Sequence, residues 1–204
     1  MRRLGAILLA AGCSSRFGDR NKLLVEVEGQ PMVRVLADTL LGSGSIGEVL
    51  VVTGYEAEAI ERALEGLPVR YVFNPRWREG MGGSIALGVS KLDATLDGAA
   101  IVPADMPFLS QGLIGLLASR FQDLGGESIV FPATLSGDQR NPVIWPRRFF
   151  ALLAGLTGPE GGKRLLTELA DPRGAVGLAD ERALRDIDTL EDLPDACGFD
   201  RGNS

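Results

Sequence analysis

The stretch Leu9–Leu24, LAAGCSSRFGDRNKLL, decides how this chain is read. It leaves the apolar run Leu4–Leu9, passes through small residues, and carries Arg16 and Arg20 ahead of Lys22. A buried strand, a small-residue loop and a lysine suit a phosphate site. In open α/β sheets ligands bind beyond the carboxyl ends of the strands, and small residues let backbone N–H groups approach an anion closely. On this reading Arg16 and Lys22 add the positive charge. The alternative is a plain turn bearing ordinary surface charges. The dinucleotide fingerprint G-x-G-x-x-G is absent, because Gly12 is followed by Cys13-Ser14-Ser15-Arg16-Phe17-Gly18, and so is the Gly-Lys-Ser/Thr of a P-loop.

Composition narrows the chemistry. The chain has 204 residues, 45% hydrophobic and 24% charged, ordinary values for a globular protein. A net charge of −6 argues against a nucleic-acid surface, so phosphates must be met locally by amides, a few cations or a metal ion. There is no histidine, which removes Ser-His-Asp triads, Cys-His dyads and His-ligated zinc or iron. Carboxylates, lysine, arginine, backbone and a hard metal remain. No apolar run reaches the length of about 20 residues that a membrane span needs. Met1-Arg2-Arg3 and the apolar run after it turn at once into polar sequence, which argues against a signal peptide. The expected setting is cytoplasmic, with Cys13 and Cys197 as reduced thiols.

Further apolar runs recur at Val49–Val52, Val69–Phe73, Ala99–Val102 and Ser128–Phe131. Near-continuous runs predict strands buried on both faces of a parallel sheet. Helical spacing between them predicts helices over 31–41, 57–64, 84–92 and 110–121, with Ser110 as an N-cap, and a later helix over 163–169. Asn141–Pro146 reads as a short edge strand bracketed by prolines. The alternation is that of βαβ units in an α/β sandwich.

The other strand ends carry candidates. Asp105 lies in Pro103-Ala104-Asp105-Met106-Pro107, either a magnesium ligand or a turn residue. Asp186 and Asp188 alternate in an extended segment, as a second ligand or as a helix cap. Gly80–Ile85, GMGGSI, opens a helix whose N–H groups and dipole suit an anion, with Ser84 an alternative N-cap. Trp77 and Trp145 read as packing or rim residues, with Trp77 an alternative flank for an acceptor.

In this order, LAAGCSSRFG, Lys22-Leu23-Leu24, VVTGY (51–55), GMGGSIALGV (80–89), PADMPFL (103–109) and DIDTLEDL (186–193) resemble the molybdenum-cofactor nucleotidyltransferases. The likeness is nearest to the cytidylyltransferase branch, within the wider group that includes the methylerythritol-phosphate cytidylyltransferases. It implies a three-layer α/β/α sandwich with a mostly parallel Rossmann-like sheet, of the nucleotide-diphospho-sugar transferase type. It also implies one nucleotidyltransferase domain over 1–204, with a core of about 4–193 and a frayed tail at 197–204. The implied reaction transfers CMP from CTP to a phosphorylated acceptor, molybdopterin cofactor, with Mg2+, and releases pyrophosphate. GTP, another phosphorylated acceptor, or a non-catalytic cofactor carrier serving a molybdenum enzyme are the alternatives. The resemblance assigns Leu9, Ala10, Ala11, Gly12, Cys13 and Ser14 to the nucleotide, Arg16 to the β- and γ-phosphates, and Lys22 to the α-phosphate. It gives Asp105 and Asp188 to the metal, with Asp186 the alternative to Asp188, and Gly54, Asn74, Gly80 and Ser84 to the base and ribose pocket. Guanylyl relatives typically carry Leu-Ala-Gly-Gly; Ala11 adds a methyl and favours a pyrimidine. Two departures stand out: Gln139-Arg140-Asn141-Pro142 in place of a Gly-His-Pro or Gly-Asn-Pro, and Glu160 where relatives commonly have Asp.

Overall fold

The computed structural model describes residues 2–13, 21–187 and 192. The elements are β1 (Leu4–Ala10), β2 (Glu26–Val27), β3 (Gln30–Pro31), α1 (Met32–Gly42), β4 (Glu48–Thr53), α2 (Ala57–Ala63), β5 (Arg70–Phe73) and α3 (Met81–Lys91). They continue with β6 (Gly98–Pro103), α4 (Gln111–Asp123), β7 (Phe131–Ala133), β8 (Val143–Pro146), α5 (Phe150–Ala154), α6 (Lys163–Leu169) and β9 (Ala175–Gly177). Five strands form the central sheet in the order β5-β4-β1-β6-β8. The first four run parallel, and β8 closes the sheet antiparallel to β6. Its one proline, Pro146, ends a strand at the sheet edge, where a missing N–H costs the ladder least.

The apolar runs alternate in a period of two, which sends each strand's side chains into opposite layers. Leu4, Ala6, Leu8 and Ala10 of β1 join Val49 and Val51 of β4 against Leu36 and Leu40 of α1, Ile60 of α2 and Leu117 and Phe121 of α4. Ile7 and Leu9, with Val52 and Ile101, face the other way, against Ile85 and Val89 of α3, Leu153 of α5 and Leu166 of α6. The result is the expected α/β/α sandwich with a mostly parallel sheet. No helix among the described residues is long and apolar enough to cross a membrane.

Register aligns the strand ends. Leu9 pairs with Val52 and Pro103, and Thr53 with Ala10 and Phe73. The residues that follow, Ala11 to Cys13, Gly54, Asn74 and Ala104-Asp105, therefore emerge along one rim of the sheet. Backbone bonds knit that rim: Ala104 N donates to Leu9 O at 3.2 Å, Tyr55 N to Ala11 O at 3.1 Å, and Asn74 N to Thr53 O at 2.8 Å.

Two expectations need correction. The run Ser128–Phe131 is not a strand of the parallel sheet. Val130 bridges Ile144 alone, and β7 pairs with β9 in a separate two-stranded sheet. The place beside β6 is taken by β8. The apolar spacing marks α3 only from 84, but the helix begins at Met81, within the opening GMGGSI, and Ser84 is a second-turn residue, not its cap. Ser110 does cap α4, accepting from Leu113 N at 3.2 Å.

Candidate active site

Lys22 opens a short 3-10 turn, Lys22–Leu24, which Asn21 caps by accepting from Leu23 N at 3.1 Å. The buried Leu23 side chain anchors the turn to the core, so the lysine projects from a fixed base. Its Nζ donates to Asp105 Oδ2 at 2.7 Å and to the Ile187 carbonyl at 3.0 Å. The Ile187 amide donates in turn to the Asp105 carbonyl at 2.8 Å. A loop from the first strand, a loop from β6 and a segment near the end of the chain thus meet at one point.

The pair is sequestered, with side-chain exposures of 14% for Lys22 and 21% for Asp105. Such a pair is a weak stabiliser, because desolvation offsets much of the attraction. It is a good prearranged charge pair for a ligand. Asp105 Oδ1 is buried and accepts no hydrogen bond among the described residues. An orphaned, buried carboxylate oxygen on a strand-end loop fits a hard cation, which takes oxygen ligands and suits Mg2+ with one or two carboxylates plus phosphates and water. Among the described residues no cluster of three or more acidic or thiol side chains surrounds it. Asp105 would therefore rely on other oxygens to complete a shell.

Two cavities adjoin this pair. The first, about 530 Å3, is lined by Leu9, Ala11, Gly12, Cys13, Lys22, Gly80, Ser84 and Asp105, with Trp77 as a wall. The Trp77 indole is stacked by the Arg78 guanidinium at 4.1 Å and lies 5.5 Å from the Tyr55 ring. The second, about 640 Å3, is lined by Arg140, Asn141, Glu160, Lys163 and Asp186 among others. Leu9, Met81, Pro103, Asp105 and Pro159 belong to both. Asp105 stands on the boundary.

The expected site residues divide accordingly. Ala10 is buried inside β1. Gly54 and Asn74 do not line either cavity; they build the wall behind it. A methyl on Gly54 would lie 2.7 Å from Trp77 Cβ and 2.8 Å from the Ala11 carbonyl, so only glycine lets the two loops meet. Asn74 is buried, donates to Ser84 Oγ at 3.0 Å and accepts from Arg76 N at 2.9 Å. The Asn74→Ala variant should lose about 1–3 kcal/mol of stability in urea unfolding, since the buried Ser84 hydroxyl and the part-buried Arg76 N–H both lose their bond; a loss under 0.5 kcal/mol, about the scatter of an ordinary surface substitution, would contradict this account.

The glycine-rich start of α3 does not offer all its amides to an anion. Gly82 N donates to the Gly158 carbonyl at 2.9 Å. The loop 157–160 is thus docked on the helix and forms the partition at Pro159. Ser14, Arg16 and Asp188 lie outside the described residues. Asp186 is exposed and borders the second cavity, with Asp105 also in that lining. Trp77 borders the first cavity and not the second. It opens the 3-10 turn Trp77–Glu79 just after Asn74, which follows the last residue of β5.

Comparison with known proteins agrees with this geometry. The family description "MobA-like NTP transferase domain" matches residues 6–173. Purine catabolism protein PucB of Bacillus subtilis is 34% identical over 197 residues, covering 91% of this chain and 92% of that protein. Nicotine blue oxidoreductase of Paenarthrobacter nicotinovorans is 29% identical over 196 residues, covering 92% and 93%. A probable molybdenum cofactor guanylyltransferase of Natronomonas pharaonis is 34% identical over 116 residues, covering 56% and 55%. A solved nucleotidyl transferase from Methanothermobacter superposes with a TM-score of 0.76 at 20% identity, covering 94% of each chain. The likeness in sequence extends across the strand-end loops that build the cleft, and the chain belongs to the MobA-like NTP transferase family.

Proposed function

We propose that the chain transfers CMP from CTP to the phosphate of a molybdopterin-type acceptor and releases pyrophosphate. The observation that carries this reading is the Lys22–Asp105 pair, with Lys22 in the first cavity and Asp105 on the boundary between the two. The first cavity takes the triphosphate, the second the acceptor, and the reacting phosphorus lies between them. An acceptor phosphate oxygen attacks the α-phosphorus, and the bond from that phosphorus to the bridging oxygen of pyrophosphate breaks. No general base is required, since the attacking oxygen is already anionic. The demand on the protein is positioning and charge neutralisation. Lys22 neutralises the α-phosphate, where charge gathers. Arg16 is assigned to the departing pyrophosphate. Asp105, with Asp188, would hold Mg2+, which when bound would draw charge from the phosphate oxygens. Backbone amides at Gly12 and Cys13 approach the phosphates, and Trp77 offers a face to the base.

The preference for CTP rests on Ala11. Its carbonyl is tied to Tyr55 N and its methyl packs over Gly54, so it cannot withdraw from the cavity. A methyl of this kind discriminates by about 10–200-fold. Incubating the chain with each NTP, Mg2+ and molybdopterin cofactor, and following pyrophosphate, should show CTP used at least tenfold better than GTP, the lower end of about 10–200-fold for such a contact. Equal use of GTP would remove the cytidylyl part. Turnover only with methylerythritol phosphate or a sugar phosphate would replace the acceptor. Tight cofactor binding without pyrophosphate would point to a carrier. NADPH oxidation belongs in the same screen, given the oxidoreductase name of one relative.

A further inference from the structure

We infer that Lys22 is an internal counter-ion that keeps a divalent cation off Asp105 until a nucleoside triphosphate draws its ammonium away, so that metal and nucleotide load together. The inference rests on the reading of Asp105 as a metal ligand and adds a rule for when it can act as one. The same carboxylate is claimed twice. Its Oδ2 is held by Lys22 Nζ at 2.7 Å, and the ammonium is pinned further by the Ile187 carbonyl at 3.0 Å. Its Oδ1 is buried and accepts no hydrogen bond among the described residues. A cation arriving at Oδ1 would meet a carboxylate whose charge is already balanced, with a like charge beside it in a partly desolvated cleft where repulsion is poorly screened. Among the described residues no group of three or more acidic or thiol side chains gathers there to outweigh that repulsion.

A triphosphate changes both sides of this balance. Lys22 also lines the first cavity, and its flexible stem can swing to a polyanion there. Departure of the ammonium restores the charge of Asp105, while phosphate oxygens supply the ligands a single carboxylate lacks. Because binding linkage is reciprocal, the metal must tighten the nucleotide by the same factor.

Mn2+ binding to the full chain, followed by loss of the free-ion electron paramagnetic resonance signal, tests this without turnover. Without nucleotide, the wild type should bind Mn2+ weakly. Lys22→Met should bind it at least about tenfold tighter, and Lys22→Gln should repeat the gain with a polar side chain. Lys22→Arg, which keeps the charge, should behave as wild type. The double variant Lys22→Met with Asp105→Asn should lose the gain, placing the metal on Asp105. Unchanged affinity in Lys22→Met and Lys22→Gln, or a gain that survives loss of the carboxylate, overturns the exchange. A second titration uses the unreactive α,β-methylene analogue of CTP, read by tryptophan fluorescence. Mn2+ should tighten the analogue by a larger factor in wild type than in Lys22→Met; equal factors overturn the inference. Failure of every form to bind Mn2+, even with the analogue, overturns the reading of Asp105 itself.

Discussion

Asp105→Asn and Lys22→Ala should each lower pyrophosphate release by about 10²–10³-fold or more, the scale of losing one preorganised electrostatic contact to a transition state. Both variants should keep the wild-type fold. The backbone bond from Ile187 N to Asp105 O does not depend on the carboxylate, and the turn bearing Lys22 is held by Asn21 and the buried Leu23. An asparagine at 105 keeps the shape and removes only the charge. Alanine at 22 takes the ammonium from a sequestered pair, but Asp105 borders both cavities, through which water can reach it. The two losses have different signatures. The Asp105→Asn defect should respond to raised Mg2+, because affinity for the metal is what falls. The Lys22→Ala defect should not, because the missing charge belongs to the α-phosphate. Pyrophosphate assays over a Mg2+ series, with circular dichroism to check folding, settle the outcome. Turnover retained in both variants would end the proposed mechanism. The contrast with metal binding sharpens it: loss of Lys22 should strengthen Mn2+ binding without nucleotide while weakening catalysis, an opposition that a purely structural lysine cannot produce.

The rim of the cleft was legible because parallel strands are buried on both faces and so read as unbroken apolar runs, each ending where a loop begins. Lys22 and Asp105, 83 positions apart in the chain, could be assigned to one cleft on that ground, and their side chains meet there. Other features depend on tertiary contacts that a local pattern does not carry. Val130 and Phe131 look like any buried strand, but whether they pair with β6 or stand apart is decided by β8, which occupies that edge. Gly54 and Asn74 sit at the right strand ends, yet one serves as clearance for Ala11 and Trp77 and the other as a buried prop for Ser84. The first turn of α3 carries no apolar spacing, since glycines stand at 82 and 83, and only the opening GMGGSI marks it. That turn is supported from outside, by a carbonyl of the 157–160 loop.

That support yields the second large effect, from Gly82→Ala. A methyl at this position would lie 2.6 Å from the Thr157 carbonyl oxygen, 2.7 Å from its carbon and 2.9 Å from its nitrogen. These are backbone atoms and cannot rotate aside, so the loop must lift from the helix. Lifting strains the bond from Gly82 N to Gly158 O and carries with it Pro159, which lines both cavities. The expected cost is about 1–3 kcal/mol of stability, as for other overpacked contacts. The kinetic effect should fall on KM for CTP and acceptor alike, because the partition between their cavities moves. The saturated rate should change less, since Lys22 and Asp105 stand on other loops. Gly83→Ala is the matched control. Its added methyl meets no atom within 4 Å, and it replaces glycine by alanine inside a helix, which should stabilise by about 0.5–1 kcal/mol. Urea unfolding and steady-state kinetics on the pair separate steric displacement from helix propensity. If the two variants shift stability and KM in the same direction, the docked loop is not what shapes the cleft. Opposite shifts tie both cavities to a single close contact between α3 and the chain that covers it.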